Sequence, residues 1–227
     1  MKALLFDIDG TLINSGGAGF RAMTRAFASV FNITDGLKNI MLSGMTDMLI
    51  FQDACKASSV DYDDRTFEQF MDTYLTFLGE EMPKENPEKM ICPGVRALLI
   101  KLSTIPDVHL GLLTGNFAVG AKIKLEEFDL HHYFSYGAYG DDNWDRNLLY
   151  DYAIDRLYQK TGSIPRSENV WIIGDTPRDI ACARPHGAIS IAVATGIYKE
   201  EQLTVENPHY LFADLTDIER FMQIINK

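Results

Sequence analysis

Two aspartates are the first residues able to do chemistry. Asp7 and Asp9 stand in Asp7-Ile8-Asp9-Gly10-Thr11, directly after the apolar run Ala3-Leu4-Leu5-Phe6. Paired aspartates alone are common in turns and at helix starts; a pair emerging from a buried strand is a more specific signal. Thr114-Gly115-Asn116 follows a second apolar run, Val108 to Leu113. Gly174-Asp175 follows a third, Val170 to Ile173, with Asp179 close behind. Arg146 opens a helix after a strand expected around Tyr136 to Tyr139. Asp7, Asp9 and Asp175 offer hard oxygen ligands, which suit Mg2+ held by carboxylates, a backbone carbonyl, waters and a substrate phosphate. No histidine or cysteine lies close to these motifs, which argues against zinc. A buried acid cluster repels itself, so its existence favours a bound cation.

With a phosphate ester beside such a cluster, one carboxylate can attack phosphorus and form an aspartyl-phosphate. A second acid can protonate the leaving oxygen and later deprotonate the attacking water. Charge spreads over the equatorial oxygens, so donors and cations are also needed. Thr114 and the amides of Gly115 and Asn116 can donate, and Arg146 can supply fixed positive charge. Asp175-Thr176-Pro177 also reads as a helix start, with Thr176 as N-cap and Pro177 at the first helical position, and the two roles are compatible.

Elements that alternate must hold these clusters. Ser190 to Val193 adds another apolar run. Between the runs, Val95, Leu98, Leu99 and Leu102 have helical spacing, and Leu149, Ala153 and Leu157 recur every fourth residue. Thr216 and Glu219 form a capping-box pattern ahead of Ile218, Phe221, Met222 and Ile225. Alternation of this kind predicts an α/β, Rossmann-like parallel sheet with helices on both faces, whose ligands bind outside the carboxyl ends of the strands. Residues 15–92 break it. Phe20, Met23, Phe27, Val30 and Phe31 are helically spaced, as are Phe67, Phe70, Met71, Tyr74, Leu75 and Leu78, with no convincing buried strand among them. The expectation is an all-helical cap over 15–92, packed on its own apolar faces, and a catalytic core of 1–14 and 93–227. Gly16, Gly17 and Gly19 at one end and Pro87, Pro93 and Gly94 at the other suit hinges. Within the cap, Gly44-Met45-Thr46-Asp47 reads either as a specificity loop facing the core or as a helix start capped by Thr46.

Composition narrows the partners. The formal net charge is −11 over 227 residues. So acidic a surface disfavours nucleic acid and anionic membranes, while a metal and local donors can still admit a small phosphorylated metabolite. Cys55, Cys92 and Cys182 are widely separated and suggest neither a zinc site nor a disulfide framework. The apolar start is too short for a signal-peptide core, and no run reaches the length of a membrane span, so a cytoplasmic location is expected. His131-His132 reads as a surface pair.

Asp7-Ile8-Asp9-Gly10-Thr11, Leu113-Thr114-Gly115-Asn116 and Gly174-Asp175-Thr176-Pro177-Arg178-Asp179 resemble three of the four motifs of the haloacid dehalogenase superfamily. The position and character of the insert resemble its phosphoglycolate phosphatase-like branch. The resemblance implies Asp7 as nucleophile and Asp9 as general acid/base. It also implies Mg2+ on the side chains of Asp7 and Asp175 and the carbonyl of Asp9, with Asp179 in support and Thr114 on the phosphate. Where that family usually places a lysine, this chain has Arg146-Asn147-Leu148-Leu149, with Lys160 as an outside candidate. Dehalogenation is disfavoured because that branch typically lacks the second aspartate. A phosphonatase would need an activated cap lysine, and Lys38 and Lys56 carry no such mark. A phosphomutase of the β-phosphoglucomutase type or a non-catalytic phosphate-binding protein would use the same core. The reading favoured is a Mg2+-dependent phosphatase acting on a small phosphate monoester.

Overall fold

Ala3 to Phe6 are wholly buried, as an unbroken apolar run requires. They lie in β1 (Lys2–Phe6), inside the six-stranded sheet of the computed structural model, which describes residues 1–226. The chain continues through β2 (Ile13–Ser15), α1 (Ala18–Phe31), α2 (Asp47–Ala57), α3 (Asp64–Glu81) and β3 (Lys89–Ile91). Next come α4 (Val95–Ser103), β4 (Val108–Leu113), α5 (Ala118–Glu126), β5 (Gly137–Ala138) and α6 (Leu149–Thr161). The last part is β6 (Val170–Gly174), α7 (Pro177–Ala183), β7 (Ile189–Val193), α8 (Glu200–Val205), β8 (Tyr210–Phe212) and α9 (Ile218–Ile225).

The sheet runs β5-β4-β1-β6-β7-β8, with every pair parallel. Leu4 registers with Leu110 on one side and Trp171 on the other. From β1 the chain steps out to β4 and β5, then returns to lay β6 on the opposite flank. The order therefore reverses between β1 and β6, which opens a crevice at their carboxyl ends. Alternation along β1 feeds both faces. Leu4 and Phe6 join Leu98, Leu99, Leu102 and Phe221. Ala3 and Leu5 join Leu149, Ala153 and Leu157. The expected α/β core with helices on both faces is what forms.

Between β2 and β3, the helices α1 to α3 build a separate apolar cluster around Phe27, Phe51 and Phe70, with the Phe51 and Phe70 rings 4.5 Å apart. The helical spacings in this stretch correspond to α1 and α3. Three features differ from the sequence reading. An antiparallel ribbon, Ile13↔Ile91 to Ser15↔Lys89, ties the ends of the insert. Its strands are three residues each and only partly buried, too short to show a period. β8 escaped notice for the same reason. The cap of α9 is also Asp217 rather than Thr216. Asp217 accepts from Arg220 N at 3.0 Å, while the Thr216 hydroxyl is spent on Asp214 at 2.5 Å. No described helix is long and apolar enough to cross a membrane, and the cysteines are free and buried.

Candidate active site

Asp7 leaves β1 with its amide donating to Ile173 O of β6 at 2.9 Å, which holds it beside the crevice. Asp175 leaves β6 on the other side. Gly10, at φ 83°, has no Cβ because the Asp175 carboxylate fills that space. Thr11 Oγ1 donates to Asp175 Oδ1 at 3.0 Å. Thr176 then starts α7 as N-cap, with Pro177 at the first helical position, so this stretch is both a helix start and part of the acid cluster. In the capping box, Asp179 Oδ2 accepts from Thr176 N at 3.0 Å and Thr176 Oγ1 at 2.6 Å. Carboxylate oxygens of Asp7, Asp175 and Asp179, all buried, lie within 4.8 Å of one another.

Arg146 meets this cluster from a 3-10 turn ahead of α6, a turn that Asp145 caps by accepting from Asn147 N at 3.0 Å. Its Nη2 reaches Asp7 Oδ1 at 3.1 Å, Asp179 Oδ1 at 2.5 Å and Leu113 O at 3.2 Å. Lys160 is exposed in the last turn of α6 and takes no such position. One guanidinium thus meets two acids of a cluster of three. Burial pushes the Asp7 carboxyl up to about 6; Arg146 opposes the rise, and Asp179 and Asp9 add to it. Asp175 is raised well above the carboxylate range by burial, then by Asp179 and Asp7. Burial works against charge on Arg146, but Asp179 and Asp7 outweigh it and hold the guanidinium protonated. Such an oxygen-only, electron-rich cluster fits a hard divalent cation, which would relieve the repulsion. Both Asp179 oxygens are committed to protein donors, which leaves Asp7 and Asp175 as the side chains better placed to hold one.

Thr114 continues from β4, its amide bonded to Ala138 O at 3.1 Å. Its hydroxyl oxygen accepts from Asn116 N at 3.3 Å and Nδ2 at 2.9 Å, which leaves the hydroxyl proton to donate. Asn116 Nδ2 also donates to Asp9 Oδ2 at 2.9 Å. The Asp9 side chain stands apart from the other three acids and is grasped by a residue that motif reading passed over. Lys124 Nζ, buried on α5, lies 2.6 Å from Asp9 Oδ2 and 2.6 Å from Asn116 Oδ1. A signal existed: Lys124 shares the buried stripe of α5 with Gly120, Ala121 and Leu125, where an unpaired lysine would be costly.

The helical insert closes over the site. Thr46 caps α2, accepting from Leu49 N at 3.2 Å, and its hydroxyl donates to Trp144 O at 2.9 Å. Asp47 N donates to Gly115 O at 2.7 Å, and Asp47 Oδ2 accepts from Phe117 N at 2.9 Å. Gly44 to Asp47 is therefore at once a helix start and a segment seated on the core. A Cβ on Gly115 would overlap the Met45 carbonyl, so only glycine permits this approach. Burial pushes the Asp47 carboxyl up to about 7, against the pull of Lys124 and the Phe117 N–H. Between insert and sheet lies a cavity of about 620 Å3, whose walls include Asp7, Asp9, Thr114, Gly115, Asn116, Lys124, Arg146 and Asp175. Phe20, Met23 and Tyr74, expected only to pack the insert, also line it, as does Ile50 of α2. Lys38 and Lys56 are exposed, and His132 pairs with Asp129 at 3.3 Å on the surface.

A family model described as HAD-hydrolase-like matches residues 146–218. A phosphoglycolate phosphatase of Pseudomonas syringae pv. tomato is 24% identical over 217 residues, covering 94% of this chain and 77% of the relative. The same enzyme name belongs to a Photorhabdus laumondii protein, 22% identical over 96% of this chain and 91% of that protein. A crystal structure of a predicted phosphoglycolate phosphatase from Haemophilus somnus superimposes with a TM-score of 0.72, at 21% identity and 98% coverage of both chains. A β-phosphoglucomutase from Clostridium difficile shares the fold at a TM-score of 0.71 and 17% identity, covering 100% of this chain and 97% of its own. Motifs, fold and relatives agree in direction: the chain is similar to haloacid dehalogenase-like hydrolases, and the curated relatives it matches are phosphoglycolate phosphatases.

Proposed function

We propose that the protein is a Mg2+-dependent phosphatase that hydrolyses a small-molecule phosphate monoester through an aspartyl-phosphate at Asp7. One observation carries the reading. Asp7, Asp175, Arg146 and Thr114, drawn from four separate stretches of chain, border one cavity at the carboxyl edge of the sheet. Asp7 and Asp175, with the carbonyl of Asp9, would hold Mg2+, whose charge draws electron density from the phosphoryl oxygens. Asp7 attacks phosphorus while the bond to the leaving oxygen breaks, and Asp9 gives that oxygen its proton. Asp9 then takes a proton from water, whose oxygen attacks phosphorus and frees the Asp7 carboxylate with inorganic phosphate. Thr114 donates to a phosphoryl oxygen, and Arg146 steadies Asp7 and Asp179. Lys124 holds Asp9 at its post. In this reading residues 15–92 are a cap and residues 1–14 and 93–227 the core, with the β2–β3 ribbon as the stem between them.

A mutase of the β-phosphoglucomutase type must grip a second phosphate. Among the described residues lining the cavity, the insert offers no lysine, arginine or histidine for that grip, which favours hydrolysis. A passive phosphate binder has no use for Asp7, Asp9, Thr114 and Asp175 together. The test is phosphate release from a panel of monoesters with Mg2+ or with chelator. Turnover is expected only with Mg2+, and Asp7→Asn is expected to lower kcat by ~1,000-fold or more. A wild type inert across the panel rules the reading out; an isomeric product without free phosphate rules in the mutase.

A further inference from the structure

The two walls of the cavity differ in chemistry. The core wall carries its cations, Arg146 and Lys124, and both are already matched. Arg146 faces Asp7 and Asp179, and Lys124 faces Asp9 and the Asn116 carbonyl oxygen. The opposite wall, from the insert, presents Phe20, Met23, Met41, Met45, Ile50 and Tyr74. Its one charged residue among those described is an acid, Asp47, fastened to Phe117 N at 2.9 Å. Phe20 and Met41 line the cavity and are 44% and 67% exposed, so part of their apolar surface is left free of packing.

A phosphate seated at Asp7 puts its leaving group against this second wall. A carboxylate or second phosphate there meets mostly hydrocarbon, the hydroxyls of Ser15 and Ser43 and the acids Asp9 and Asp47, and among the described residues lining the cavity no unmatched cation receives it. An aromatic or aliphatic body instead meets a phenylalanine, a tyrosine and flexible methionines, which wrap such shapes well. The cavity, about 620 Å3, has room for a leaving group well beyond two carbons, an aromatic ring included. Resting on the phosphatase reading above, we propose that the substrate is the phosphate ester of an uncharged, largely apolar alcohol about the size of an aromatic ring. A second anionic group on the leaving portion is selected against.

The test compares kcat/KM for benzyl phosphate and 2-phosphoglycolate, both primary alkyl esters, at pH 8 with Mg2+. Benzyl phosphate is expected to be preferred at least 10-fold. Equal or better use of phosphoglycolate overturns the inference while leaving the phosphatase reading intact, because its turnover is itself hydrolysis of a phosphate monoester. Inactivity on every monoester of a broad panel removes both. Phe20→Lys places a cation on the apolar wall at a half-exposed position that the insert core does not need. It is expected to move the ratio at least 5-fold toward phosphoglycolate. An unchanged ratio overturns the claim that this wall receives the leaving group.

Discussion

Arg146 is the residue whose environment most constrains the site. Among the described residues it is the one cation paired with Asp7 and Asp179, and removal of one partner from a buried charge cluster costs about 3–5 kcal/mol. Arg146→Met is therefore expected to lower stability by that order in cation-free denaturant melts, with part regained on adding Mg2+. Arg146→Lys keeps the charge but has a shorter reach than the Nη2 that meets two acids and the Leu113 carbonyl; it should fold and lose roughly 10-fold in kcat/KM. Lys124 acts through Asp9. Lys124→Met is expected to reduce kcat by ~10- to 100-fold with KM little changed, and Lys124→Arg to recover part of the loss, as steady-state kinetics will read. Motif order made Asp7, Asp9, Thr114 and Asp175 visible as candidates, because each follows directly on a buried strand. Lys124 was hidden because its partner lies 115 residues away in the chain.

At the scale of elements, the contact between insert and sheet rests on backbone approach. The Asp47 amide donates to the Gly115 carbonyl, and Gly115 leaves room for the Met45 carbonyl. Gly115→Ala forces that segment off the sheet while leaving the packing of either part alone. It is expected to change thermal stability little and to lower kcat/KM by ~100-fold, the scale on which a displacement of about 1 Å acts. Retained activity with a retained fold would mean that this approach is irrelevant to turnover. The long buried strands and amphipathic helices were legible, since Val108 to Leu113 and Leu149 to Leu157 carry whole periods of their pattern. The three-residue strands β2, β3 and β8 hold no period to read, and their pairing comes from what lies beside them.

For the molecule as a whole, buried acids should make stability respond to pH and metal together. Asp7 and Asp47 are raised from 3.8 to about 6 and about 7. The folded chain thus holds protons that the unfolded chain has released, so their stabilising share is complete below about 4 and is lost as pH rises through 6 and 7. Thermal melts in chelator should decline across that window, and Asp47→Asn should flatten the decline. Mg2+ at about 100 times its Kd should add ~2.7 kcal/mol, and Asp175→Asn should abolish the gain. The sequence by itself determined the α/β class, the strand ends that carry acids, the helical insert and the motif residues, because each is written in contiguous pattern. Only the tertiary structure decided that Arg146 meets Asp7, that Lys124 holds Asp9, and that an apolar wall with one acid faces the site. Those are contacts between segments far apart in the chain, set by the crossover of β6 to the far side of β1 and by the seating of the insert, and local pattern records neither.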